Sequence, residues 1–125
     1  NPKKLNILGN GKQKKSYIYV QDCINSMLCA IQKSNFKINI FNLGCDEFVE
    51  VDDSVKIITD YMNLEPELSY SGGDRGWVGD NPYIYLDTKK IRSLGWKEEN
   101  SIREGILKTI KWIDDNQWIF KDESN

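Results

Sequence analysis

No histidine occurs in this chain of 125 residues. That removes Ser-His-Asp and Cys-His nucleophile systems and most catalytic metal sites, which need an imidazole as base or ligand. Cysteine is scarce: Cys23, Cys29 and Cys45 stand apart, show no Cys-x-x-Cys spacing and cannot all pair. This argues against a disulfide scaffold or a structural zinc site and points to a reducing compartment, the cytoplasm. No apolar run approaches the roughly 18 residues of a membrane span, and no charged-then-apolar leader is read at the start. Repeats, linkers and low-complexity tracts are missing as well.

What is present is ordinary for a globular protein: 39% hydrophobic residues, 29% charged and a net charge of −2. The length suits one domain, residues 1–125, with room for a real core. The charge is uneven, because Lys3, Lys4, Lys12, Lys14 and Lys15 gather near the beginning. Such a cluster suits phosphate attraction, and it equally suits the edge of a sheet, where lysine blocks strand pairing.

The pattern predicts strands over Leu5 to Leu8 and Ser16 to Val20, separated by the turn Gly9-Asn10-Gly11. Asp22 is read as the N-cap of an amphipathic helix whose apolar stripe is Ile24, Met27, Leu28 and Ile31, ending near Ser34-Asn35. A strand is expected over Lys37 to Leu43, and a short extended piece over Glu47 to Val51. Asp52-Asp53 then opens a second helix through Val55, Ile58 and Met62. Glu67 to Ser71 reads as a strand, Tyr83 to Leu86 as an extended piece, and Asp87 as the cap of a brief helix stopping at Gly95-Trp96. Ser101-Ile102-Arg103-Glu104 is a capping box that starts a helix with Ile102, Ile106, Ile110 and Ile113 on one stripe. The fold class is therefore α/β, with α and β elements mixed.

One stretch is not what a core requires. Gly72-Gly73-Asp74-Arg75-Gly76-Trp77-Val78-Gly79-Asp80 concentrates glycines around an arginine. Glycine there suggests an unusual backbone path or close approach to a ligand. Arginine supplies a rigid fork of donors for phosphate or carboxylate. Trp77 suits either covering a base or sugar or plugging the loop onto the core. Other patterns are weaker. Gly9-Asn10-Gly11 lacks the third glycine and following helix of a dinucleotide fingerprint, and there is no Walker A sequence. Tyr85-Leu86-Asp87-Thr88-Lys89 matches the Tyr-x-x-x-Lys spacing, but Tyr85 is placed ahead of the helix, so the two residues should not share a face. Asp52-Asp53 and Asp114-Asp115 are read as helix-terminal and surface charges rather than a glycosidase-like pair. Tyr17 and Tyr19 are placed on one face of a strand.

Leu5-Asn6-Ile7-Leu8-Gly9-Asn10-Gly11-Lys12-Gln13-Lys14-Lys15-Ser16-Tyr17-Ile18-Tyr19-Val20-Gln21-Asp22 resembles the segment L-x-V-x-G-D-G-x-Q-x-R-x-Y-I-Y-V-x-D. That segment belongs to the C-terminal half of extended short-chain dehydrogenase/reductases, the nucleotide-sugar epimerases and dehydratases. Ile40-Phe41-Asn42-Leu43-Gly44 is similar to their F-N-V-G strand. Gly72 to Asp87 followed by Leu94-Gly95-Trp96-Lys97 is similar to G-G-D-R-G-W-V-G-D-x-P…L-D…L-G-W-x-P of the UDP-glucose 4-epimerase-like members.

The resemblance implies the C-terminal substrate-binding portion of a Rossmann-type enzyme, lacking the dinucleotide-binding core. By this likeness Lys15 and Arg75 grip the diphosphate of a UDP-sugar, Asp80 holds the ribose, Tyr17 contacts substrate and Leu8 lies beside the base. Lys15 departs from the usual arginine, keeping charge but losing the bidentate fork. The Arg75-to-Asp80 spacing is also longer than the R-x-x-D of better-known epimerases. The glycine-rich loop and catalytic Tyr-x-x-x-Lys of the family would precede Asn1. NAD is thus expected in the parent enzyme and not on this chain, with no catalytic, cofactor-binding or metal-ligating residue here. The chain alone is expected to be inactive, to partner the missing Rossmann domain, and to self-associate through the unpaired strand around Ile38 to Leu43. The rival expectations are a stand-alone nucleotide-sugar binding module and a dehydratase fragment. Polyanion binding through the lysines lacks a module signature and a basic overall charge; neither nucleic acid nor membrane is expected as a partner.

Overall fold

The computed structural model describes residues 3–120. Its centre is a parallel pair of strands, β1 (Lys4–Ile7) and β4 (Glu67–Tyr70), in register from Lys4 beside Glu67 to Ile7 beside Tyr70. A parallel pair needs a long crossover. Here it contains β2 (Lys14–Lys15), α1 (Val20–Lys33), β3 (Val49–Glu50) and α2 (Val51–Met62). β2 pairs antiparallel with β3, and Lys14 also bridges to Tyr83. After β4 come α3 (Lys89–Arg92), α4 (Ile102–Asp115) and a 3-10 turn, Gln117–Phe120.

α4 forms as its sequence dictates. The Ser101 hydroxyl accepts the Glu104 N–H while the Glu104 carboxylate accepts the Ser101 N–H, so two orphan donors at the helix start are satisfied. Ile102 and Ile110 of its stripe are buried, as is Ile57 of α2. Gly105 lets α4 approach closely: a Cβ there would lie 3.1 Å from the Tyr19 Cβ. The start of α2 is closed differently. Val51 and Asp52 donate their N–H groups to the carbonyls of Gln13 and Gly11, at 3.1 and 3.0 Å. Glu50 is the N-cap but gives no side-chain cap, and Asp52-Asp53 lie in the first turn, where their charge complements the helix dipole.

Several expectations change. Ser16 to Tyr19 is extended but forms no strand, because the ladder stops at Lys15 and helix α1 begins at Val20. Asp22 is consequently not the N-cap. It sits inside the first turn, 1% exposed, and its carboxylate accepts the N–H groups of Glu99 and Asn100 and the Asn100 side-chain amide. A charge this deep persists because it is fully hydrogen-bonded, and it fixes the loop leading into α4.

Lys37 to Leu43 is also not a strand. No described strand lies beside it to complete a ladder, and it is held instead by side chains, with Lys90 donating to the Ile40 carbonyl at 2.8 Å and Asn42 to that of Asp87 at 3.2 Å. The α1 stripe forms on one face as expected but faces outward, with Ile31 77% exposed and Ile24, Met27 and Leu28 near half. The α3 cap shifts by one residue to Thr88, although the Asp87 carboxylate still accepts the Lys89 N–H. Tyr83 to Leu86 contributes only the single bridge at Tyr83. No described helix is long and apolar enough to cross a membrane.

Candidate functional site

The carboxyl ends of β1 and β4 arrive side by side, and the chain there turns from pairing to loops. Ser71 donates its N–H to the Ile7 carbonyl and Gly72 to that of Gly9, both at 3.0 Å. The Ser71 hydroxyl accepts the Gly9 N–H at 2.7 Å. The turn after β1 and the glycine loop after β4 are thereby sewn together. In open α/β sheets ligands gather in this place, beyond the carboxyl ends of parallel strands.

The glycines in the turn are required by what crowds them. Gly9 and Gly11 take left-handed φ values of 82° and 78°. A Cβ on Gly9 would fall 1.9 Å from the Gln13 amide nitrogen, and one on Gly11 1.9 Å from a carboxylate oxygen of Asp52. Gln13 is 2% exposed and donates to the Leu8 carbonyl at 2.9 Å, so its amide fills the space the glycines leave and holds the turn. Sequence reasoning passed over Gln13; its place in the family segment, two residues before Lys15, was the available signal.

Between turn and loop lies a cleft of about 340 Å³, lined by Leu8, Gln13, Lys15, Gly76, Trp77 and Asp80 together with β1 and α2 side chains. Lys15 pairs with Asp80 at 2.5 Å and donates to the Asn81 carbonyl at 2.9 Å. The second Asp80 oxygen accepts the Gly76 N–H at 3.0 Å. The Lys15 ammonium and then the Gly76 N–H hold the Asp80 carboxyl below the usual aspartate range, against a smaller opposing effect of burial. The expected site residues Leu8, Lys15 and Asp80 are thus brought together, with Trp77 on the same wall and two-thirds exposed.

Arg75 and Tyr17 stand differently. The Arg75 side chain is exposed and has no ion-pair partner among the described residues, while its carbonyl lies against Gly9, so the residue sits at the rim of the cleft. Tyr17 lines a different depression, an apolar groove of about 400 Å³ between the Ile18–Val20 segment, α2 and α4.

The lysine cluster is largely neutralised in place. Lys12 pairs with Glu50 and Asp52 at 3.2 and 3.1 Å, and these two carboxylates push its ammonium above the ordinary lysine value. Lys14 lies over the Phe48 ring, and Lys4 faces Glu67. These are contacts of strand-edge lysines rather than a free basic patch. Tyr85 and Lys89 do not make an acid/base pair: the negative charge of Asp46 pushes the Tyr85 phenol up, and the Lys89 ammonium is exposed beside Asp87. No group of three metal-ligating side chains occurs among the described residues.

Known proteins share this arrangement. The model of the NAD dependent epimerase/dehydratase family matches residues 1–44. A Methanocaldococcus jannaschii protein provisionally named a UDP-glucose 4-epimerase is 34% identical over 110 residues, covering 88% of this chain and 34% of its own length. The crystal structure of the Thermotoga maritima UDP-glucose 4-epimerase with UDP-glucose superposes with a TM-score of 0.78 at 26% identity, covering 91% of this chain and 36% of that one. An epimerase from Methanothermobacter thermautotrophicus matches the fold with a TM-score of 0.82 at 22% identity, over 98% of this chain and 36% of its own. The mixed α/β fold built on a parallel strand pair is that of these epimerases, and the chain spans about a third of their length. The protein belongs to the NAD-dependent epimerase/dehydratase family.

Proposed function

We propose that this chain is the substrate-binding region of an NAD-dependent nucleotide-sugar epimerase, and that the cleft between the β1 turn and the glycine loop receives the nucleotide diphosphate. The observation that carries this reading is the convergence of Leu8, Lys15, Gly76, Trp77 and Asp80 on one cleft at the carboxyl ends of a parallel strand pair. In this reading the Lys15 ammonium and the Arg75 guanidinium face the phosphates, supplying charge-assisted donors. Leu8 and Trp77 provide apolar walls for the base. Tyr17, one strand-step beyond Ser16, reaches the sugar from the neighbouring groove. The likeness to a UDP-glucose 4-epimerase solved with UDP-glucose supports a UDP-sugar as the ligand.

NAD belongs to the parent enzyme in this proposal. The chain carries no glycine-rich dinucleotide fingerprint, and its one Tyr-x-x-x-Lys match points Tyr85 at Asp46, so hydride and proton transfer are assigned to residues outside it. It is therefore proposed to be inactive alone and to complement a Rossmann domain. Calorimetry with UDP-glucose tests the binding role: the wild-type chain should bind, and Arg75→Ala should weaken binding at least about tenfold, as loss of a charged hydrogen bond implies. Absence of binding by the wild type, or turnover by the isolated chain, contradicts the proposal.

A further inference from the structure

We propose that Asp80 is a positioning residue, which locks Lys15 and the glycine loop in place so that an incoming phosphate meets the lysine and not the aspartate. The inference rests on the nucleotide-binding reading above and refines it. Its ground is how the carboxylate is spent. One oxygen takes the Lys15 ammonium at 2.5 Å, and the other takes the Gly76 N–H at 3.0 Å. The Asp80 N–H in turn donates to the Trp77 carbonyl at 3.0 Å, closing the 76–80 segment into a tight turn. Both ionic side chains are mostly buried, 19% exposed for Lys15 and 12% for Asp80.

Gly76 makes this closure possible, since a Cβ there would already lie 3.3 Å from the Asp80 oxygen and 3.4 Å from the Leu8 Cβ. An ammonium has three N–H donors. Asp80 and the Asn81 carbonyl engage two, so one remains for a ligand. Lysine is otherwise a flexible point charge with high rotamer entropy. Held on two sides, it becomes a fixed donor, which compensates for the missing guanidinium fork.

The test uses the full chain, UDP and 2′-deoxy-UDP, and the variants Asp80→Asn, Lys15→Met and their double. Calorimetry should show Asp80→Asn weakening both nucleotides by the same factor, about tenfold, and the double variant binding no worse than Lys15→Met alone. A loss confined to UDP would make Asp80 a ribose ligand, and losses that multiply in the double variant would make it independent of Lys15; either overturns the proposal. NMR on the wild type gives a readout that needs no ligand. The Gly76 amide and the Lys15 ammonium should share one titration midpoint, below the ordinary aspartate value of about 3.9. Separate midpoints overturn the lock. Should the wild type bind neither nucleotide, the binding reading fails, while the shared or separate midpoint still decides whether Asp80 locks Lys15.

Discussion

Two regions of this molecule treat their exposed chemistry in opposite ways. At the cleft, residues 8–15 and 71–80 are irregular in backbone yet tied at every turn, by Gln13 to Leu8, Ser71 to Gly9, Lys15 to Asp80 and Asp80 to Gly76. Across α1 and residues 36–40 the reverse holds. The helix is regular, but Ile31, Phe36, Ile38 and Ile40 are each 70% exposed or more. A folded surface seldom leaves so much apolar area contiguous unless something covers it. The cleft is a finished wall, and the α1 side is an unfinished one. Regular secondary structure is therefore no guide here to which face is complete; satisfied polar groups and buried apolar ones are.

The comparison breaks most readily at Gly11. Gly11→Val places a Cβ 1.9 Å from an Asp52 oxygen at a left-handed φ, so it should cost about 2–3 kcal/mol in urea unfolding and displace the start of α2. A change under 0.5 kcal/mol would show that the turn is not a rigid part of the wall. Next in size is Ser101→Ala, which removes a capping oxygen from α4 and should lower stability by about 1 kcal/mol with the cleft unaffected.

On the unfinished side, Ile31→Lys should shift stability by less than about 0.5 kcal/mol, because a residue this exposed leaves no cavity. It should nevertheless reduce the self-association we expect from the α1 face, read as a fall in weight-average mass by sedimentation; a large loss of stability would mean that the face is already covered. The smallest effect is electrostatic. Asp80 titrates lower in the folded chain than unfolded, so its contribution is complete above about pH 3.9 and disappears as pH falls through its lower folded value. Unfolding midpoints measured between neutral and acid pH should therefore fall less steeply in Asp80→Asn than in the wild type.

What could be read from residues alone divides along the same line. The capping box, the Ile102 to Ile113 stripe, the β1 and β4 strands and the Gly9-Asn10-Gly11 turn are decided within a few residues of themselves, and each appears. Asp22 was misplaced because its partners, Glu99 and Asn100, lie 77 and 78 residues away. The Lys37 to Leu43 strand failed because a strand requires a neighbour, which periodicity cannot supply. The α1 stripe was placed correctly on the helix, but its burial depends on a partner surface outside the described residues. At the cleft, residue chemistry and family resemblance together picked out Leu8, Lys15 and Asp80, whereas the Lys15–Asp80 pairing is a long-range contact that neither segment announces.

The central claim is that the cleft, and not the apolar α1 side, receives a nucleotide sugar. Mapping amide chemical-shift changes on titration with UDP-glucose tests it directly. The changes should concentrate at Leu8, Lys15, Gly76, Trp77 and Asp80 and leave residues 24–40 in place; no response, or a response centred on α1, would contradict the account.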